Sequence, residues 1–165
     1  MASIHSQGTR PELKARHWLW EHGYRYRKNA AELPGKPDIV VTASRTAIFI
    51  NGCFWHQHEG CKAYSTPKTN TEFWQTKFKR NKERDERVRE ELRAMGWRTM
   101  VIWECQLKAD TIEPTMTEAA RLLDEAKAEW GKARGKTRLR TIVKKTYEID
   151  DDEPDYAYAA EDDEP

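Results

Sequence analysis

Apolar and polar positions along this 165-residue chain alternate between helical and strand periods. Leu13, Trp18 and Leu19, with His17 and Trp20 alongside, recur at helical spacing and predict a first helix ending at Gly23. Thr9 with Glu12 three positions on, and Pro11 in the first turn, marks its start as a capping box. Residues 24–28 alternate aromatic and basic, as a half-exposed strand does. Leu33-Pro34-Gly35-Lys36-Pro37 is a turn, after which 38–41 and 46–50 read as two buried strands joined by a hairpin through Ser44 and Arg45. A polar loop over 66–71 leads into a long charged helix, 72–95, with Phe73, Phe78, Val88 and Leu92 inward and Gly96 as its stop. Residues 97–104 form a third buried strand and 115–130 an amphipathic helix. The order helix, strands, helix, strand, helix is α/β or α+β, with one mixed central sheet flanked by helices.

The pattern also sets the boundaries. Residues 1–8 carry little periodicity and read as a flexible N-terminus, 9–131 as the folded domain, 132–147 as a basic linker and 148–165 as an acidic tail. That tail has too little apolar surface to offset its ordering entropy and reads as disordered. No long apolar run spans a membrane. The net charge of +1 hides an asymmetry: the tail holds ten acidic and no basic residues, so residues 1–147 carry 29 basic against 18 acidic, a net of +11. A basic body is the electrostatic footprint of a protein that meets phosphate backbones. Several of the seven tryptophans, Trp55 and Trp74 among them, lie in polar runs, where base stacking and core packing are both open to them.

All three cysteines fall into one pattern with histidine: Cys53, His58 and Cys61 in a short stretch, Cys105 far downstream. An odd count without a hydrophobic signal segment argues against a secreted disulfide scaffold and for reduced thiols in a cytoplasm. Thiolates and imidazole are the donors of a closed, tetrahedral, structural zinc site. His58 has the better spacing to Cys61, which leaves His56 outside the ligand shell but fixed beside it, placed for an acid, a base, a phosphate contact or a plain hydrogen bond. Asp38, preceded by Pro37, puts a carboxylate at the end of a buried strand, which is costly unless it is paired or binds a cation. With Glu12 on the first helix and the backbone carbonyl of Ile50, it outlines a magnesium site of hard oxygen donors. A turn cap at Asp38 and a helix cap at Glu12 are the alternatives.

These residues resemble a known family, the very-short-patch (Vsr-like) mismatch repair endonucleases, which have the restriction-endonuclease-like fold. The likeness spans about residues 8–107 through Thr9-Arg10-Pro11-Glu12, Gly35-Lys36-Pro37-Asp38, Gly52-Cys53-Phe54-Trp55-His56, Thr71-Glu72-Phe73-Trp74, Asn81 to Asp85, Gly96-Trp97-Arg98 and Trp103-Glu104-Cys105. It implies a bacterial, nucleoid-associated, magnesium-dependent enzyme that nicks duplex DNA 5′ of the thymine in a T·G mispair left by deamination of 5-methylcytosine. The partner is that mismatched duplex, with other repair proteins beside it, and the chain is expected to act as a monomer. By the same resemblance Asp38 matches the magnesium-binding aspartate, Glu12 its acidic partner and His56 the histidine at the scissile phosphate. Cys53, His58, Cys61 and Cys105 match the zinc ligands, and Phe54, Trp55 and Trp74 the aromatics that wedge beside the mispair.

One departure stands out. At Ile50-Asn51 the best-known family member has threonine and a histidine proposed to activate water, and Asn51 cannot accept a proton at neutral pH. Two rival readings follow, a catalytically silent zinc-stabilised mismatch-binding module and a sequence-specific restriction-type nuclease of the same fold. The acidic tail reads either as a solubilising appendage or as a phosphate mimic competing for the basic face.

Overall fold

The computed structural model describes residues 8–144, so the acidic tail and residues 1–7 of the N-terminus lie outside the described residues. Two units are distinguished, up to Trp130 and from Gly131 on. The first holds α1 (Arg10–Glu21), β1 (Arg27–Lys28), β2 (Ile39–Val41), β3 (Thr46–Asn51), α2 (Thr71–Ala94) and β4 (Arg98–Trp103), with short 3-10 turns at Thr42–Ser44 and Glu104–Leu107. The last helix, α3 (Ile112–Lys144), begins in it and continues as helix over residues 132–144 of the expected linker, whose last three residues lie outside the described ones.

The strands make one four-stranded mixed sheet in the order β1-β2-β3-β4. β1 with β2 and β2 with β3 are antiparallel, the latter with Ile39 opposite Ile48 and Val41 opposite Thr46. β4 joins β3 in parallel, from Thr46 opposite Arg98 to Asn51 opposite Trp103. A parallel pair needs a long crossover, and α2 lies within it. Strand alternation splits the buried residues between two faces. Ile39, Val41, Ile48 and Ile102 pack with Ala15, Trp18 and Leu19 of α1 and with Met116, Ala119 and Leu123 of α3. Val40 and Ala47 face the other way and pack with Ala30, Leu33 and Leu92, against Val88 of α2 and Phe49. The mixed sheet flanked by helices is thus the architecture the pattern predicts. Leu19 is fully buried where α1 meets the sheet, so Leu19→Ala is expected to cost about 2–5 kcal/mol, read as a lower denaturant midpoint.

Several details differ from the pattern. Leu13 is 47% exposed and Phe73 62% exposed, because each lies on the side of its helix away from the sheet and apolar type alone does not decide a side chain's face. The start of α1 is not a capping box: Thr9 makes no side-chain bond to the helix backbone. Its hydroxyl donates instead to Glu12 Oε1 (2.9 Å), and the Gly8 amide donates to Glu12 Oε2 (2.9 Å). α3 starts three residues before the expected Thr115 and runs on past Gly131, since alanine, lysine and arginine sustain a helix without an apolar stripe. The strand expected over 24–28 is reduced to Arg27–Lys28.

Gly35 matters for the site. Its φ of +72° is left-handed, and a Cβ there would lie 2.5 Å from Val88 Cγ1 of α2. Only glycine lets the turn before Asp38 press this closely on the helix.

Candidate active site and metal centre

β3 and β4 run side by side and end together at Asn51 and Trp103. Two residues beyond each end stand Cys53 and Cys105, so the parallel register alone brings these distant cysteines to one place. Between them the chain after β3 folds into a tight loop: the His56 amide donates to Gly52 O (3.2 Å), His58 to Cys53 O (2.9 Å) and Cys61 to His58 O (3.3 Å). Gln57 takes a left-handed φ of +51°, and its buried amide donates to Phe54 O at 2.8 Å. The sulfurs of Cys53, Cys61 and Cys105 and the ring nitrogen of His58 all lie within 4.8 Å of one another. His58 Nδ1 is 3.6 Å from Cys53 Sγ and 3.4 Å from Cys105 Sγ. A tetrahedral ion with metal–sulfur bonds of about 2.3 Å separates its donors by roughly 3.8 Å, so these four can hold a metal ion. Burial pushes the Cys53 thiol up to about 12 and raises Cys105, while a backbone amide at Ala63 lowers Cys61. Thiols grouped in this way ionise as ligands when a cation binds among them. Trp103 stacks flat on the His58 ring, centroids 4.2 Å apart and planes within 3°, which fixes the imidazole.

His56 leaves this cluster for α2. Its Nδ1 lies 2.5 Å from Asp85 Oδ2, and Nε2 is the ring nitrogen left for a substrate oxygen. Burial would raise the Asp85 carboxyl, but the hydrogen bond and charge of His56, together with Arg84, hold it below the usual carboxylate range. A carboxylate on one ring nitrogen fixes the orientation of the imidazole. One face of α2 carries the whole loop: Asn81 Nδ2 donates to Trp55 O (3.0 Å) one turn before Asp85. Asn51, His56, Asp85, Arg89 and Trp103 line an open cleft of about 610 Å³.

On the sheet side, Asp38 stands at the head of β2, and its Oδ2 accepts the Ile50 amide at 2.7 Å. Burial, with the charge of Glu12 beside it, raises the Asp38 carboxyl to about 6 against the opposing pull of the Ile50 amide, Arg16 and His56. Glu12 is 3% exposed and accepts from Gly8, Thr9 and Arg16 Nη2 (3.3 Å). Asp38, Glu12, Ile50 and His56 therefore converge from α1, β2, β3 and the loop after it. Asn51 sits buried at the end of β3.

Phe54, Trp55 and Trp74 form a block with Phe78, ring centroids 5.2–5.9 Å apart, edge-to-face around Phe54 and tilted where Trp74 meets Trp55 and Phe78. Phe73 meets Trp74 at its margin, and Lys77 Nζ lies 5.0 Å from the Trp55 centroid and 5.4 Å from that of Trp74. Sequence reasoning misses the roles of Asp85 and Arg16.

Comparison with known proteins bears on this arrangement. Residues 1–62 match the family model described as DNA mismatch endonuclease Vsr. The DNA mismatch endonuclease Vsr of Escherichia coli K12 is 39% identical over 79% of this chain and 80% of its own length. The type II nicking enzyme V.NmeAIP of Neisseria meningitidis is 46% identical over 68% of this chain and 79% of its own length. The chain belongs to the Vsr family. As a Vsr-family protein it is a DNA endonuclease, and DNA is its partner. Another similar Vsr-like protein, the type II nicking enzyme V.XorIIP of Xanthomonas oryzae, is 43% identical over 65% of this chain and 78% of its own length. Among the described residues, no helix of this Vsr-family chain is long and apolar enough to cross a membrane.

Proposed function

We propose that the protein nicks duplex DNA 5′ of the thymine in a T·G mispair, by magnesium-dependent hydrolysis of one phosphodiester. The observation that carries this reading is the convergence of the half-buried Asp38 and the buried Glu12 with a histidine held by Asp85. Two carboxylates close enough to raise one of them gain from a cation, and their hard oxygen donors, with the Ile50 carbonyl, suit magnesium. When bound, magnesium would polarise the scissile phosphate and offset its charge.

The chain's own residues do the rest. Asp38, fixed by the Ile50 amide, and Glu12 orient the cation site toward the phosphate. His56 donates from Nε2 to a phosphate oxygen or to the leaving oxygen, and Asp85 keeps the ring aimed. Asp85→Asn, which preserves shape but removes the counter-charge, is expected to slow single-turnover nicking about a hundredfold with DNA affinity held. Asn51 supplies an amide where the family's best-known member has a histidine, so water loses its proton to solvent or to substrate phosphate. Hydrolysis is accordingly slow, and Asn51→His is expected to raise the rate about tenfold or more; an equal rate would count against this.

Cys53, His58, Cys61 and Cys105 hold zinc with all four positions filled by protein donors, which makes that ion structural. It keeps the loop bearing Phe54, Trp55 and His56 rigid. Phe54, Trp55 and Trp74 wedge beside the mispair, which stacks less well than a matched pair and costs less to open. The protein acts as a monomer on mismatched duplex, with other repair proteins following it to the nick. The test is a nicking assay on a duplex with one T·G pair against its T·A control. A magnesium-dependent single-strand cut confined to the mismatch is expected; equal cutting of the paired control would point to a sequence-specific nuclease, and no cut at any mismatch would sink the proposal.

A further inference from the structure

Arg16 is a buried cation beside the carboxylates, and neither the acids nor the histidine explain it. It is 6% exposed, one turn after Glu12 on α1. Its Nη2 lies 3.0 Å from the backbone oxygen of Asp38, 3.1 Å from Asn29 Oδ1 and 3.3 Å from Glu12 Oε2. One guanidinium nitrogen carries two hydrogens, so three acceptors cannot all be bonded at once, and the two shorter contacts have first claim. The buried Nε, by contrast, has no hydrogen-bond partner among the described residues. A guanidinium that crowds three acceptors onto one nitrogen and orphans another donor is placed to suit the acceptors and not its own hydrogen bonding.

We infer that Arg16 is a positioning residue for the divalent cation: its two short bonds fix the backbone of Asp38 against α1. Its charge balances Glu12 until the third and longest contact is given up to the incoming ion. The inference rests on the reading of Asp38 and Glu12 as the cation's ligands. Asn29 belongs to the same device. It holds a left-handed φ of +46°, and its amide donates to Asp38 O at 3.3 Å, so Asn29 and Arg16 grip the same carbonyl.

Charge and position predict opposite signs. Removing a positive charge near the site would, by Coulomb's law alone, tighten cation binding. Losing the clamp would weaken it. The probes are Mn²⁺ binding to the full chain, read from the electron paramagnetic resonance of the free ion, and a Mg²⁺ titration of nicking. Arg16→Met is expected to weaken Mn²⁺ binding about tenfold and to raise the half-saturating Mg²⁺ similarly, with the rate at saturating Mg²⁺ within about threefold of the original. Arg16→Lys offers three donors from one nitrogen and is expected to recover most of the loss. Asn29→Gly keeps the left-handed backbone but removes one short anchor, for an expected shift of about threefold. A purely structural Arg16 would lower the melting temperature and leave Mn²⁺ affinity alone. Unchanged or tighter Mn²⁺ binding in the folded variants overturns the inference, and Arg16→Lys with Asn29→Gly decide it even where Arg16→Met fails to fold. If Asp38→Ala binds Mn²⁺ as the unaltered protein does and nicking needs no Mg²⁺, the ligand reading itself falls and takes this inference with it.

Discussion

Asp38→Ala is expected to reduce nicking at a T·G mispair by about a thousandfold or more, some 4 kcal/mol of barrier, while affinity for the same duplex stays within about threefold. The asymmetry follows from where the carboxylate lies. It sits at the head of β2 in contact with the Ile50 amide, and an anionic carboxylate repels a phosphate backbone, so removing it deletes a cation ligand and no attractive DNA contact. The alanine also strands the Ile50 amide, and a buried unpaired donor costs about 1–3 kcal/mol, so part of any loss in alanine is structural. Asp38→Asn separates the two effects. Its side-chain oxygen still accepts from Ile50, but the charge is gone. The asparagine variant is expected to melt close to the original and to nick as poorly as the alanine variant. An asparagine variant with full magnesium-dependent activity would remove Asp38 from the chemistry, whatever its stability.

Cys105→Ala is expected to lower the melting temperature by more than about 10 °C and to abolish zinc binding, which in the unaltered chain is expected at one ion per molecule. Structural zinc sites in small peptides contribute on the order of 10 kcal/mol. Here a packed sheet already supports the loop, so the expected loss is smaller, about 3–5 kcal/mol. The activity should fall with the fold of the loop: His56 is two residues from His58, and its bond to Asp85 requires the loop to lie against α2. A variant that melts unchanged and nicks unchanged would mean that the cluster binds no structural ion. Substitution is the sharper tool here, because a general chelator would strip the catalytic magnesium as well.

Much of this site is legible in the order of residues alone. Two apolar runs separated by a short polar hairpin predict β2 and β3, because burial on both faces needs continuous apolar residues. The grouping of Cys53, His58, Cys61 and Cys105 follows from donor chemistry. What pattern does not supply is geometry between distant segments. Cys105 joins Cys53 only because β4 pairs in parallel at one register, a fact carried by sheet packing and not by either segment. Asp85 lies in a run of charges that looks like a solvated helix face, and only the approach of His56 distinguishes it from its neighbours. Arg16 gives no signal, since a lone arginine among apolar residues reads as a side chain with its head in water. Glu12 has the spacing of half a capping box, yet its carboxylate accepts from the Gly8 amide and the Thr9 hydroxyl and also meets the buried Arg16, a partner that helical spacing alone does not reveal.

The alignment of Asn51 with Trp103 also bears on how the chain assembles. Slipping β4 by one residue would move Cys105 by about 3.3 Å along the sheet and turn its sulfur to the opposite face, away from Cys53. A misregistered sheet therefore cannot complete the four-donor cluster. A metal ion bound by the four donors would thus favour the one alignment that also delivers His56 to Asp85.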